Sequence, residues 1–186
     1  MDLLSPVNRL HQHRSWVNVK LIDATSRLSD EQRHRRFEIG QGSVWQTLLH
    51  LVGAEYVWLE TILGNDDPVM PGDLPHELVG NQRGDDAIQT MDELETFWAN
   101  LDIRWWAFVD ALEPEDLQRP IVKRSTSSHA GQRRATSLMD VLLHVCTHAH
   151  YTTAQLINML RRLGVAELPD PMLITLARDD TRMETS

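Results

Sequence analysis

Four long segments with apolar residues at helical spacing constrain the fold of this chain more than any other feature. Apolar residues recur at intervals of three, four and seven, which is typical of a helix with one buried face. The segments run over residues 6–28, 43–63, 86–112 and 137–163. Because no convincing strand pattern accompanies them, the sequence predicts an all-α fold, a four-helix bundle.

Turn-forming and capping residues mark the ends of the predicted helices. Ser29 with Gln32 three residues later forms a capping-box pattern for a short turn after the first helix. Gly64 and Gly164 follow the second and fourth helices, where glycine commonly ends a helix. Asp140 lies in the first turn of the fourth helix, where the helix dipole favours an acid.

Two long crossover connections separate the predicted helices. Residues 64–84 are dense in Pro, Gly, Asn and Asp and show no sustained period. A connection of this length inside a compact domain is often functional. Residues 113–134 break the helical pattern again, with Ile121 and Val122 as a candidate short extended segment.

The chain length favours one domain. A chain of 186 residues is long enough for one full hydrophobic core and short for two. We therefore treat residues 1–186 as a single domain, with a core over about 6–163 and a tail over 164–186. A short apolar stretch at 172–176 in the tail is expected to lie against the bundle.

Charge and composition exclude several classes of protein. The 18 basic and 27 acidic residues give a net charge of −9, which opposes binding to nucleic acid. No apolar stretch approaches the roughly 20 residues needed to cross a bilayer, so no membrane partner is expected. The start MDLLSPVNRL lacks the features of a signal peptide, and the single Cys146 cannot form an intramolecular disulfide. A cytoplasmic location is therefore expected.

The histidines of the second and fourth helices are the candidate metal ligands. His144 and His148 lie four residues apart, as do His148 and Thr152, so the three share one ridge of the fourth helix. Helical rotation places His148 and Thr152 on the apolar face, His144 at its margin and His150 toward solvent. Such a pair is how a helix presents two imidazoles to one metal, although a hydrogen-bonded core histidine is the alternative interpretation. His50 lies in a largely apolar helix, where its imidazole needs a partner.

Three segments resemble the core helices of the DinB-like (DinB/YfiT-like) superfamily. They are SWVNVKLIDATSRLSDEQ, GSVWQTLLHLVGAEYVWLETILG and SLMDVLLHVCTHAHYTTAQLINMLRRLGV, in the family's order. The resemblance covers nearly the whole chain. It implies a four-helix bundle, usually a homodimer, that binds a divalent metal such as zinc or nickel through three side chains.

The resemblance also implies which residues hold the metal. His50 matches the family histidine of the second helix. The other two family ligands form a His-x-x-x-His on the last helix, followed by a glutamine that matches Gln155; this alignment places His148 on the first histidine and Thr152 on the second. A threonine hydroxyl is a poor zinc ligand, so three outcomes stay open: a two-histidine site completed by water or another residue, a shifted triad with His144, or an empty site.

The function implied by the resemblance is metal-dependent chemistry on a small-molecule substrate. Characterised relatives include enzymes that use a low-molecular-weight thiol, so the expected reaction is metal activation of a thiol or of water, as in a thiol transferase or a hydrolase. Under this interpretation His50 and His148 hold the metal, with Thr152 or His144 in the third place. The alternative is a non-catalytic dimeric bundle with a degenerate metal site, acting as a binding or scaffold protein. Glu55 is interpreted as a group supporting the site or lying on the surface.

Overall fold

A computed structural model describes residues 3–124 and 133–183, and it confirms the predicted four-helix bundle. Neighbouring helices contact one another in the order α1, α5, α3, α4, and α4 closes the ring against α1. No helix in these two ranges is long and apolar enough to span a membrane. The four core helices are α1 (Leu4–Ser26), α3 (Val44–Ile62), α4 (Met91–Val109) and α5 (Leu138–Arg162).

Capping residues begin the helices largely where the sequence predicted. Ser29 and Gln32 form the capping box of a short helix, α2 (Asp30–His34). The Ser43 hydroxyl accepts the Gln46 N–H at 3.1 Å and begins α3. In the same way Ser137 caps α5. These hydroxyls satisfy N–H groups that have no partner within the helix.

The third core helix is shorter than predicted. It begins at Met91 because Thr90 and Glu93 form a capping box there. Residues 86–89 belong instead to the preceding connection, where the Ile88 N–H donates to the Gln82 side chain at 2.6 Å. Helical periodicity in the sequence does not register this competing hydrogen bond.

A two-stranded sheet accompanies the helical bundle. After a 3₁₀ turn at Pro114–Gln118, β1 (Pro120–Arg124) pairs antiparallel with β2 (Arg133–Ser137). The candidate extended segment at Ile121 and Val122 lies in β1, whereas β2 was not predicted. Four of the five β2 residues are exposed, so its sequence carries no alternation of apolar and polar residues to reveal a strand.

The tail packs on the bundle as a final helix, α6 (Leu173–Met183). Leu176 is buried, as expected for the apolar stretch at 172–176. The tail is also tied to α1, since His13 Nε2 lies 2.7 Å from the Pro171 carbonyl oxygen and Arg9 pairs with Asp180.

A buried carboxylate joins three of the core helices. Glu55 of α3 is only 2% exposed, which excludes the surface position that was one of its two expected roles. Arg14 of α1 pairs with it, while Asn18 Nδ2 donates at 2.9 Å and Trp98 Nε1 at 3.0 Å. Arg14 also reaches Asp102 of α4 at 3.0 Å. Burial raises the pKa of Glu55, and Arg14, Asn18 and Trp98 oppose that shift.

Replacing Arg14 with methionine is expected to lower the free energy of unfolding by about 3–5 kcal/mol, because it leaves the Glu55 carboxylate buried without its cation. Urea denaturation measures the change. Arg27→Met is the control, since Arg27 pairs with Asp23 at the exposed surface. The double variant Arg14→Met/Glu55→Leu is expected to recover most of the loss, and equal losses in the single and double variants would contradict this account.

Candidate functional site

A cavity of about 650 Å³ lies between α3, α5, the hairpin and the connection from α3 to α4. This volume is in the range of sites that take small molecules. His50 of α3 and both His144 and His148 of α5 line it. The structure therefore brings all three sequence-predicted histidines to one cavity.

The imidazoles of these histidines neighbour one another. The ring centroids of His50 and His148 are 5.3 Å apart, and those of His144 and His148 are 5.9 Å apart. Two imidazoles whose nitrogens lie about 2.0–2.1 Å from one tetrahedral zinc ion have ring centroids roughly 5 Å apart. The His50 and His148 pair fits a shared divalent ion. Within the described ranges, however, no three His, Cys, Asp or Glu side chains are already arranged to hold a metal.

His50 is oriented by a backbone hydrogen bond. Its Nδ1 lies 3.1 Å from the Val79 carbonyl oxygen. Because a carbonyl only accepts, Nδ1 carries the proton and Nε2 of the neutral ring keeps its lone pair. Burial lowers the pKa of His50, and this hydrogen bond opposes the shift. The lowered pKa keeps the ring neutral. A backbone carbonyl on the second nitrogen is the usual support for a histidine that ligates a metal.

The two α5 histidines that line the cavity, His144 and His148, are also held in the neutral form. Burial, followed by the neighbouring His50 and His144, lowers the pKa of His148 to about 4. His144 is the most exposed of the three, and its pKa is lowered by partial burial and then by the Lys123 ammonium. Its ring packs edge-on against Trp58 at a centroid distance of 5.2 Å. Neutral imidazoles are the form that binds a metal.

The connection between α3 and α4 forms one wall of the cavity and is tightly docked on α3. Gly80 has a φ of +79°, and a Cβ there would lie 2.4 Å from the Leu49 carbonyl carbon and oxygen. Gln46 Nε2 donates to the Gly80 carbonyl at 2.5 Å, and the Gly80 N–H donates to Asp73 at 2.6 Å. This close approach places the neighbouring Val79 carbonyl at His50.

Two residues singled out in the sequence lie elsewhere. Thr152 is only 2% exposed and belongs to the bundle core, away from the cavity lining. Gln155 lies beside Gly40, since a Cβ at Gly40 would be 2.9 Å from Gln155 Oε1. Cys146 is buried and does not line this cavity, and His150 is exposed, as expected from the helical rotation.

Several lining residues were missed by the sequence analysis. Trp58, Lys123 and Arg134 contribute to the cavity from α3 and the hairpin. Lys123 is half-buried, and burial lowers its pKa to about 8. A basic residue in a weak strand pattern gives no sequence signal of a site; only the pairing of β1 with β2 brings it beside α3.

The fold and the cavity define a class of protein: a helical bundle with histidines from two facing helices at one pocket. Residues 4–182 match the DinB family, and the chain belongs to this family. Protein DinB of Bacillus subtilis (strain 168) is 22% identical over 164 residues, which cover 87% of this chain and 88% of that protein.

A solved structure shares the architecture. YfiT from Bacillus subtilis is described as a probable metal-dependent hydrolase with an unusual four-helix bundle topology. It matches with a TM-score of 0.64 and 19% identity, covering 86% of this chain and 89% of YfiT. At this level of identity the likeness shows a common fold.

Replacing Gly80 with alanine is expected to destabilise the protein more than the same change at Gly64. Both glycines have positive φ, but nothing lies within 4 Å of a Cβ at Gly64. Gly64→Ala therefore reports backbone strain alone, about 1 kcal/mol. Gly80→Ala adds a clash with the backbone of α3, and we expect about 1–3 kcal/mol of further loss in urea denaturation. Equal losses would show that the connection does not press on α3.

Introducing histidine at position 152 is expected not to restore the family's ligand set. Thr152 is buried, so Thr152→His overpacks the core and costs about 1–3 kcal/mol in the free energy of unfolding. Thr152→Val is the control of similar size. Urea denaturation measures the stability of both variants, and a zinc competition titration measures their zinc affinity. Tighter zinc binding by Thr152→His at unchanged stability would show that position 152 can supply a metal ligand.

Proposed function

We propose that this protein is a divalent-metal-dependent enzyme in which His50 and His148 hold a zinc or nickel ion and His144 is the third ligand. The observation that carries the proposal is the grouping of the three imidazoles at one cavity, with the second ring nitrogen of His50 occupied by the Val79 carbonyl. Among the three outcomes left open by Thr152, the proposal takes the shifted triad. The burial of Thr152 supports the selection, because a core threonine does not reach the cavity.

The proposed reaction is metal-activated attack by water or by a low-molecular-weight thiol on a small-molecule substrate. A bound divalent ion supplies Lewis acidity and lowers the pKa of a water or thiol in an open position, which makes a nucleophile at neutral pH. The description of YfiT as a probable metal-dependent hydrolase supports water as the nucleophile.

The chain's own residues have distinct proposed roles. Val79 holds the His50 ring in one tautomer and orientation, and the neutral rings of His144 and His148 present lone pairs to the ion. The exposure of His144 allows its ring to adjust on metal binding. Trp58 packs on that ring and limits the access of water from one side. These residues orient the reacting groups and shape the pocket.

The second candidate function is a non-catalytic bundle that binds a small molecule in the same cavity. The observation that favours it is that no three potential ligands in the described part of the chain already form a metal-holding group. The homodimer and the cytoplasmic location expected from the sequence stay predictions under either function.

Metal content separates the two candidates. We expect tag-free protein, after incubation with zinc or nickel and removal of excess metal, to retain close to one ion per chain by elemental mass spectrometry. Because two ligands alone hold zinc weakly, His50→Ala, His148→Ala and His144→Ala are each expected to lose the metal.

The matched control is His150→Ala, which removes an exposed histidine of the same helix, and it is expected to keep full metal content. Absence of retained metal in the wild type would reject the metalloenzyme and leave the binding protein. Full retention in His144→Ala with loss in the other two variants would reduce the site to two histidines and another ligand.

A further inference from the structure

The hairpin places two cations side by side at the cavity. Lys123 of β1 and Arg134 of β2 are directly opposite one another in the strand register, and both line the pocket. Side chains that are opposite in an antiparallel pair lie on the same face of the sheet. Like charges in this arrangement destabilise the pair unless a counter-charge lies nearby.

The acids of the cavity wall have other partners. Asp66 pairs with Arg133 at 2.7 Å, and Glu77 pairs with Arg83. Asp73 accepts hydrogen bonds from the backbone N–H of Gly80 at 2.6 Å. These carboxylates are therefore engaged in holding the connection in place.

Neither cation has an acidic partner in the described part of the chain. Within residues 3–124 and 133–183, no carboxylate oxygen forms an ion pair with Lys123 or Arg134; Asp67, the other acid of the lining, is exposed. The Lys123 ammonium lies over the Trp58 ring, with Nζ 4.1 Å from the centroid. The ring of His144 packs on the same tryptophan, so the indole of Trp58 contacts both the Lys123 ammonium and a candidate metal ligand.

The remaining surface of the cavity selects the kind of anion. Ala54, Val57 and Ile121 are apolar lining residues, and Trp58 adds an aromatic wall. Such a lining suits a ligand with an apolar body. The acids of the lining and the net charge of −9 disfavour a multiply charged phosphate. A single carboxylate on an apolar body matches both features.

We propose that Lys123 and Arg134 bind the carboxylate of a small apolar acid in this cavity, and that the substrate of the histidine site belongs to this class. The half-buried Lys123 makes the stronger contact, and the exposed Arg134 adds charge at the rim. The assignment of this ligand as the substrate rests on the proposed function. Binding of the acid is a property of the cavity, and it is tested without metal.

The test uses 3-phenylpropanoate and its uncharged amide, 3-phenylpropanamide, with metal-free protein in isothermal titration calorimetry. We expect the wild type to bind the acid, and Lys123→Met to bind it about tenfold or more weakly, because a charge-assisted contact is lost. Methionine keeps an apolar stem beside Trp58. Lys123→Arg is expected to restore binding to within about threefold, since the charge is retained. Arg134→Gln is expected to weaken binding by about threefold, because exposed charges contribute less.

The matched control is Lys20→Met. Lys20 Nζ lies 4.2 Å from the centroid of the Trp16 ring, which repeats the ammonium–indole contact outside the cavity. We expect this variant to bind the acid like the wild type. The amide should bind the wild type about tenfold more weakly than the acid, and in Lys123→Met this preference should fall to about threefold, the share that Arg134 supplies.

Several results would overturn the proposal. They are no binding of 3-phenylpropanoate to the wild type, equal binding of acid and amide, unchanged affinity in Lys123→Met, and stronger binding of inorganic phosphate than of the acid. In the zinc-incubated protein, acid binding that depends on His50 and is unaffected by Lys123→Met would place the carboxylate at the metal and would also overturn it. If the protein retains no metal but still binds the acid through Lys123, the carboxylate site is supported and only the proposed metalloenzyme is rejected.

Discussion

The buried ion pair between Arg14 and Glu55 is the interaction on which the bundle most depends. A carboxylate that is 2% exposed needs donors on every accessible side, and α1 and α4 supply them through Arg14, Asn18 and Trp98. The need to satisfy this charge restricts how the helices rotate about their axes. Since His50 and Glu55 are on the same helix, the orientation of α3 that serves the ion pair also sets where the candidate site lies.

A second constraint shapes the site from outside the bundle. Gly80 presses its backbone against α3 so closely that a side chain would meet the Leu49 carbonyl. This contact brings the Val79 carbonyl to His50, and Asp73 holds the connection in that shape through the Gly80 N–H. The hairpin then closes the other side of the cavity. A bundle surface becomes a pocket because two irregular segments, and not the helices alone, surround the histidines.

Much of the fold was predictable because its signals are local. The capping box of Ser29 and Gln32 depends on only three following positions, and the structure confirms it. The segments predicted to begin at 43 and 137 start there because Ser43 and Ser137 cap them. The strand β2 and the start of α4 at Met91 were missed, since each depends on a partner distant in sequence or on a side-chain hydrogen bond in the connection. Glu55 was not assigned to the core because nothing near it in sequence reveals the cation of α1.

The sequence by itself determined the helical class, the approximate extent of most helices, the family resemblance and the three candidate histidines, because periodicity and motif spacing act over a few turns of one chain segment. Only the tertiary structure decided which neighbours those histidines have. It placed Thr152 in the core, set His144 beside Trp58 and brought Lys123 to the same indole. These outcomes depend on how α3, α5 and the hairpin pack together, and packing between distant segments is not encoded in the spacing within any one of them.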